Sequence, residues 1–142
     1  PAMGNAYLTT SLYTDTPAFD VFYRAPGYDR DKFRVRRYGV AGPVFVERKT
    51  KRGDRVRKFR SRVEARDVGE LAAPAPGGGW AGEWFHGQVV ERRLAPVCRV
   101  AYERVAYTGA SEGGVVRLTL DRNIRGVTAG AWKLEAVGAA PE

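Results

Sequence analysis

Residues 32–38 read KFRVRRY, with Lys32, Arg34, Arg36 and Tyr38 on one side of an extended chain and Phe33 and Val35 on the other. A period of two is the period of a β-strand; a helix would scatter the same residues around its circumference. Residues 44–51 (VFVERKTK) put Phe45, Glu47, Lys49 and Lys51 on one face, and residues 55–63 (RVRKFRSRV) put Val56, Lys58, Arg60 and Arg62 together. Gly39, Gly42 and Pro43 separate the first stretch from the second, and Arg52-Gly53-Asp54 separates the second from the third. These are turn residues, so the segment predicts an antiparallel meander of three strands.

The same segment holds the charge. Residues 30–62 contain 14 basic and three acidic side chains, against 10 basic and 13 acidic in the rest of the chain. One stretch therefore carries the whole excess of a chain with net charge +8, and such a stretch meets a polyanion: nucleic acid, an acidic membrane surface or a phosphate chain. Arginine outnumbers lysine 19 to 5. Its planar fork suits bidentate phosphate contacts, although an arginine-rich genome gives the same ratio.

Further strands are predicted at residues 7–16 (YLTTSLYTDT), 97–106 (VCRVAYERVA) and 115–121 (VVRLTLD), the last two joined by a loop at Ser111-Glu112-Gly113-Gly114. Thr16 and Pro17 suit the start of a short helix over residues 17–23, broken by Gly27. A helix opens at residues 67–71, AAPAPGGG forms a loop, and residues 80–94 form a second helix with Trp84, Phe85 and Val89 as packing residues, stopped by Pro96. After Arg125 the chain is rich in Gly and Ala and weakly patterned.

With 142 residues the chain is one domain's worth, and 44% hydrophobic residues suffice for a core. No apolar run reaches the length of a membrane span and no signal peptide is visible, which predicts a cytoplasmic protein. One cysteine, Cys98, excludes a disulfide framework and a cysteine-based zinc site. One histidine, His86, excludes a multi-histidine metal site, and nothing near it resembles a Ser-His-Asp arrangement. His86 is expected at the surface or between helices, Cys98 as a structural thiol, and Trp80, Trp84 and Trp132 as packing residues.

A half-exposed sheet with its charges in water explains simple alternation. It does not explain like charges repeating along one face, Lys32/Arg34/Arg36 and then Lys58/Arg60/Arg62, because like charges facing across strands destabilise a sheet. Tyr102 with Arg104, and Arg117 with Asp121, also share faces. Strands curling into a barrel would turn these groups into a lumen, and a cationic lumen needs anions or water.

Several strings in this order resemble the VTC domain, the polyphosphate polymerase domain of the CYTH-like triphosphate tunnel superfamily. They are SLYTDTP at 11–17, KFRVRRYG at 32–39, VERK at 46–49 with its basic partner around Lys58, the stretch from Pro96-Val97 to Tyr102-Glu103-Arg104, and VRLTLD at 116–121. The resemblance implies an α+β, mainly antiparallel β fold: a partial triphosphate-tunnel β-barrel flanked by helices, with residues 1–142 as the central part of one domain. It implies phosphate-binding roles for Arg34, Arg36, Lys49, Lys58, Arg104 and Arg117. Glu47 is a weak metal candidate, favoured instead as a partner for a neighbouring cation.

The family's first acidic/basic strand and its last Glu-x-Lys strand, which supplies a metal-binding carboxylate, have no counterpart here. The catalytic residues are therefore unknown. A divalent cation, Mn or Mg, is implied by the family without ligands in this sequence. The expected partners are polyphosphate, tripolyphosphate or a nucleoside triphosphate, with phosphoryl transfer to a growing chain as the implied reaction. Two alternatives are a non-catalytic polyanion-binding module and a CYTH-type triphosphatase. Nucleic-acid binding, with Tyr38 and Phe59 as stacking groups, is the weaker reading, since no nucleic-acid-binding signature accompanies it.

Overall fold

The computed structural model describes residues 5–137. Six strands form one antiparallel sheet: β1 (Asn5–Asp15), β2 (Asp31–Tyr38), β3 (Val44–Arg52), β4 (Arg55–Val63), β5 (Ala95–Ser111) and β6 (Gly114–Thr128). Their spatial order is β4-β3-β2-β1-β5-β6, so β4 and β6 are the edges and the sheet is not closed. A 3₁₀ segment (Ala65–Ala72) and one helix, α1 (Glu83–Arg92), connect β4 to β5. The fold is thus α+β and mainly antiparallel, as expected.

The two faces divide the sequence as the alternation predicts. Leu12, Phe33, Val35, Val44, Val46 and Val63 leave one face and pack with Val68, Leu71, Phe85, Val89, Leu94 and Leu134 in one buried core. Trp80, Trp84 and Trp132 pack against it partly buried. This face must be covered because every second residue is apolar, and the 3₁₀ segment and α1 provide the cover. The turns fit their residues. Gly53 has φ 58° between β3 and β4, a conformation most side chains disfavour. At Gly42 a Cβ would overlap the Tyr38 carbonyl oxygen.

Three expectations are corrected. Residues 17–23 form turns, not a helix. The buried Asp15 carboxylate accepts hydrogen bonds from the N–H groups of Thr16, Val21 and Phe22 at 2.8–3.0 Å, and Phe19 and Arg24 have φ 58° and 55°. A side chain that captures these donors competes with the helix ladder. Strands β5 and β6 run beyond the expected 97–106 and 115–121, because each completes the other's hydrogen bonds from Ser111↔Gly114 to Cys98↔Thr128. Of the two places expected for His86, the structure takes the one between helical segments: it is buried, and its ring Nε2 lies 2.9 Å from the Ala73 carbonyl and ties α1 to the end of the 3₁₀ segment.

Helix α1 covers Glu83–Arg92 rather than the expected 80–94, and Arg93, just past its end, takes the left-handed conformation (φ 56°). A non-glycine residue there costs about 1 kcal/mol. Arg93→Gly is expected to raise stability by about that amount, read as a higher urea midpoint; a lower midpoint would mean that the Arg93 side chain supports the fold.

Candidate functional site

The strand registers define the face opposite the core. Ser11 stands opposite Arg36 and Tyr13 opposite Arg34; Arg34 stands opposite Glu47 and Lys32 opposite Lys49; Glu47 stands opposite Arg60 and Lys49 opposite Lys58. On the other side of β1, Tyr7 stands opposite Arg104 and Thr9 opposite Tyr102. Arg104 stands opposite Asp121 and Thr108 opposite Arg117. All six basic residues singled out in the sequence therefore leave one face. The face is curled. A cavity of about 470 Å³ is lined by Arg60 of one edge strand and Arg117 of the other, with Tyr7, Tyr38, Pro43 and Phe45 between them, and Arg117 reaches past β5 to donate to Tyr7 Oη at 3.4 Å.

Glu47 sits at the centre of one cluster and is 1% exposed. Arg34 Nε donates to its Oε2 at 2.6 Å, and Lys58 Nζ lies 3.0 Å from its Oε1. That second contact is an ion pair poorly aligned for a hydrogen bond. Burial pushes the Glu47 carboxyl up, but the hydrogen bond from Arg34 and the charges of Arg34 and Lys58 hold it below the usual carboxylate range. Burial likewise opposes the charge on Arg34, and Glu47 more than restores it.

Arg36 is different. It is 5% exposed, its Nε donates to Ser11 Oγ at 2.9 Å, and no carboxylate among the described residues pairs with it. On the same face, beyond the Arg34–Glu47–Arg60 row, Lys32, Lys49 and Lys58 stand in one cross-strand row. Of these three only Lys58 has an acidic partner among the described residues. Like charges directly opposed across strands are unfavourable, and a cation removed from water without a partner is costly. Both conditions are relieved by an anion lying along the face.

Arg104 and Arg117 lie apart from the Glu47 cluster, two and three strands away from β2. Arg104 holds Asp121 in a bidentate pair, 2.7 and 2.9 Å, which pulls the Asp121 carboxyl below its usual range and raises Arg104 further. Its guanidinium also lies 5.2 Å from the Tyr102 ring centre. Burial pushes the Tyr102 hydroxyl and the half-buried Cys98 thiol up.

The candidate list lacked several residues on this face. Arg60 packs over the Phe45 ring at 4.5 Å, and Ser11, Tyr13 and Tyr7 supply hydroxyls to Arg36, Arg34 and Arg117. Alternation groups Arg60 with Lys58 and Arg62, but only the register of β1 against β2 and β5 sets Tyr7, Ser11 and Tyr13 on the side of the cations.

Glu47 does not fit a metal-ligand role, because both of its oxygens already face cations. Among the described residues no three His, Cys, Asp or Glu side chains gather where an ion would sit. Tyr38 and Phe59 leave opposite faces: Tyr38 packs on Phe45 on the curled side, while Phe59 packs on Trp84 of α1. They make no common stacking platform. No helix is long and apolar enough to cross a membrane among the described residues.

No curated protein matches the chain. Among solved structures, a candidate adenylate cyclase from Bacillus halodurans aligns with TM-score 0.52 and 10% identity, over 87% of this chain and 66% of that one. A candidate adenylyl cyclase from Hippeastrum with a dominant triphosphatase activity aligns with TM-score 0.47 and 15% identity, over 84% of this chain and 61% of that one. The chain spans less than two thirds of each. At such identities the first likeness speaks for the fold alone. Residues 3–139 match the VTC domain family, and with nearly the whole sequence inside that match the chain belongs to it.

Proposed function

We propose that the curled face binds the phosphate chain of polyphosphate, tripolyphosphate or a nucleoside triphosphate. Within the whole protein, it would hold that chain for phosphoryl transfer from a nucleoside triphosphate to a growing polymer. The observation that carries this reading is the buried Arg36, without an acidic partner among the described residues, on the same face as the Lys32–Lys49–Lys58 row. Phosphoryl transfer asks little covalent chemistry of a protein: the work is to hold the phosphate oxygens in line and to offset their charge. Guanidinium forks from Arg34, Arg36 and Arg117 and ammonium groups from Lys49 and Lys58 suit that work.

VTC and CYTH-like proteins generally use a divalent cation, but the described carboxylates do not fit one. The engagement of Glu47 and Asp121 in ion pairs favours a second reading, in which this chain binds phosphate polymers without turning them over. Incubation with ATP and divalent cation separates the cases. Polymer supports transfer, orthophosphate without polymer marks a triphosphatase, and neither product leaves binding alone.

Titration calorimetry tests the binding itself, after a melting curve has established that the chain is folded. Tripolyphosphate is expected to bind more tightly than monophosphate. Arg34→Ala and Arg117→Ala are each expected to lose about tenfold in affinity, as one charge-assisted hydrogen bond is removed. Arg52, in the exposed hairpin, is expected to be neutral toward tripolyphosphate. Equal losses for all three variants would replace the site with a generally basic surface.

A further inference from the structure

The β3–β4 hairpin runs past the helical cover, and its far end carries cations on both sides. On the curled side stand Lys49, Lys51 and Lys58. On the back, Arg48, Thr50 and Arg52 of β3 and Arg55 and Arg57 of β4 line a groove of about 350 Å³. A second hollow, sharing Arg48, Thr50 and Arg52, extends it toward Arg30 and Arg92. Of the acids nearby, Asp54 in the exposed turn between Arg52 and Arg55 is unengaged among the described residues, and the other two are taken up. Asp31 accepts from Arg48 at 2.8 Å, from Thr50 at 2.6 Å and from Arg92 at 3.4 Å, and Asp29 pairs with Arg30 at 3.7 Å. Among the described residues Arg52, Arg55 and Arg57 have no acidic partner, although Arg52 and Arg55 stand directly opposite one another. The groove lining contains no aromatic ring and no apolar side chain.

Three guanidinium groups without an ion-pair partner, outnumbering the single free acid Asp54, in a groove lined by no aromatic or apolar residue, suit a ligand made of phosphate alone. The cations of the two faces meet at the hairpin tip, where Lys51 and Arg52 are consecutive but leave opposite sides. We propose that the back of the β3–β4 hairpin is a second phosphate-chain site, which takes the part of a polyphosphate that extends beyond the curled face and turns around the hairpin tip. The proposal rests on the reading of the curled face as a phosphate-binding face. Nucleic acid carries phosphates too, but its bases would find only the guanidinium planes and the half-exposed Phe59, opposite Arg48, to stack on.

The test compares three probes, tripolyphosphate, a long-chain polyphosphate of narrow length distribution and a single-stranded oligonucleotide, by titration calorimetry at one salt concentration. The wild-type chain is compared with Arg52→Ser/Arg55→Ser/Arg57→Ser and with Arg66→Ser/Arg93→Ser/Lys133→Ser. The second triple variant removes the same charge elsewhere. The hairpin variant is expected to keep its affinity for tripolyphosphate and to lose about tenfold to a hundredfold for the long chain, three exposed charge contacts being lost together. The control variant is expected to keep most of both. Equal losses from both variants would show diffuse attraction only. An unchanged long-chain affinity in the hairpin variant, or an oligonucleotide that binds through the hairpin as tightly as polyphosphate, would also overturn the proposal. If tripolyphosphate fails to bind the wild type, the curled-face reading falls. The groove is then judged alone, and the wrapped path is lost even if the hairpin still captures the long chain.

Discussion

Glu47→Gln is expected to lower stability by about 3 kcal/mol at neutral pH, the lower end for breaking a buried ion pair, because Arg34 and Lys58 keep their charges and lose the carboxylate between them. Arg34 is 18% and Lys58 39% exposed, so water recovers part of the loss. The substitution is nearly isosteric, so packing changes little. Acid should do to the wild type what glutamine does to the variant. The folded carboxyl is held below its ordinary value of 4.5. Its contribution is therefore complete above that pH and disappears as the pH falls through the depressed folded value. Urea unfolding from pH 7 downward should show a steeper acid loss for the wild type than for the variant. The acid slope that remains in the variant belongs to other depressed carboxyls, Asp31 among them. Tripolyphosphate should stabilise the variant more than the wild type, since its oxygens replace the missing charge. Equal stabilities and equal slopes would mean that Glu47 does not balance the cluster.

Arg36→Met is expected to move stability and binding in opposite directions. The methionine keeps much of the stem's volume and removes a cation buried without an acidic partner, so the melting temperature should hold or rise. Its affinity for tripolyphosphate should fall about a hundredfold, the upper range for a charge-assisted hydrogen bond in a dehydrated site. Ser11→Ala, which removes the hydroxyl that Arg36 Nε reaches, should weaken binding less and in the same direction. If Arg36→Met destabilised the fold as strongly as a core truncation, Arg36 would be a structural residue and the curled face would lose its principal anion contact.

The parts of the fold legible in the sequence were those governed by local period. KFRVRRY, VFVERKTK and RVRKFRSRV could be assigned to strands and faces because two-residue alternation is unambiguous over seven or more residues. The outer halves of β5 and β6 were not legible: Tyr107 to Ser111 and Arg122 to Thr128 lack a clean alternation and are held as strand by each other's backbone. The turn after β1 was misread as a helix because Thr16-Pro17 is a genuine helix-start signal, and the carboxylate that overrides it, Asp15, acts through three hydrogen bonds that no spacing rule anticipates.

For the site, the shared face of Arg34 and Arg36 followed from the pattern, and the inward turn of Glu47 with it. The choice between metal ligand and ion-pair partner for Glu47 needed the register that sets it opposite Arg34 and Arg60. Arg36's lack of an acid could not be read from sequence either, because it depends on which strands lie beside β2.

The sheet order places β1 between β2 and β5, which sets a timetable. During synthesis β1 emerges before β2 and can pair early with it and, through it, join the β2–β4 meander. Its other edge has no partner until Ala95–Ser111 has left the ribosome, since Leu12 meets Arg99 and Asn5 meets Ala106. Until then the β1–β4 part of the sheet ends at an open β1 edge, and the curled face is only half built. Tyr7, whose hydroxyl will receive Arg117, waits longer still, for β6. Pairing of such long sequence separation is the slow step of a β-fold, so the half of the face carrying Arg34, Arg36, Lys49 and Lys58 is assembled before the half carrying Arg104 and Arg117.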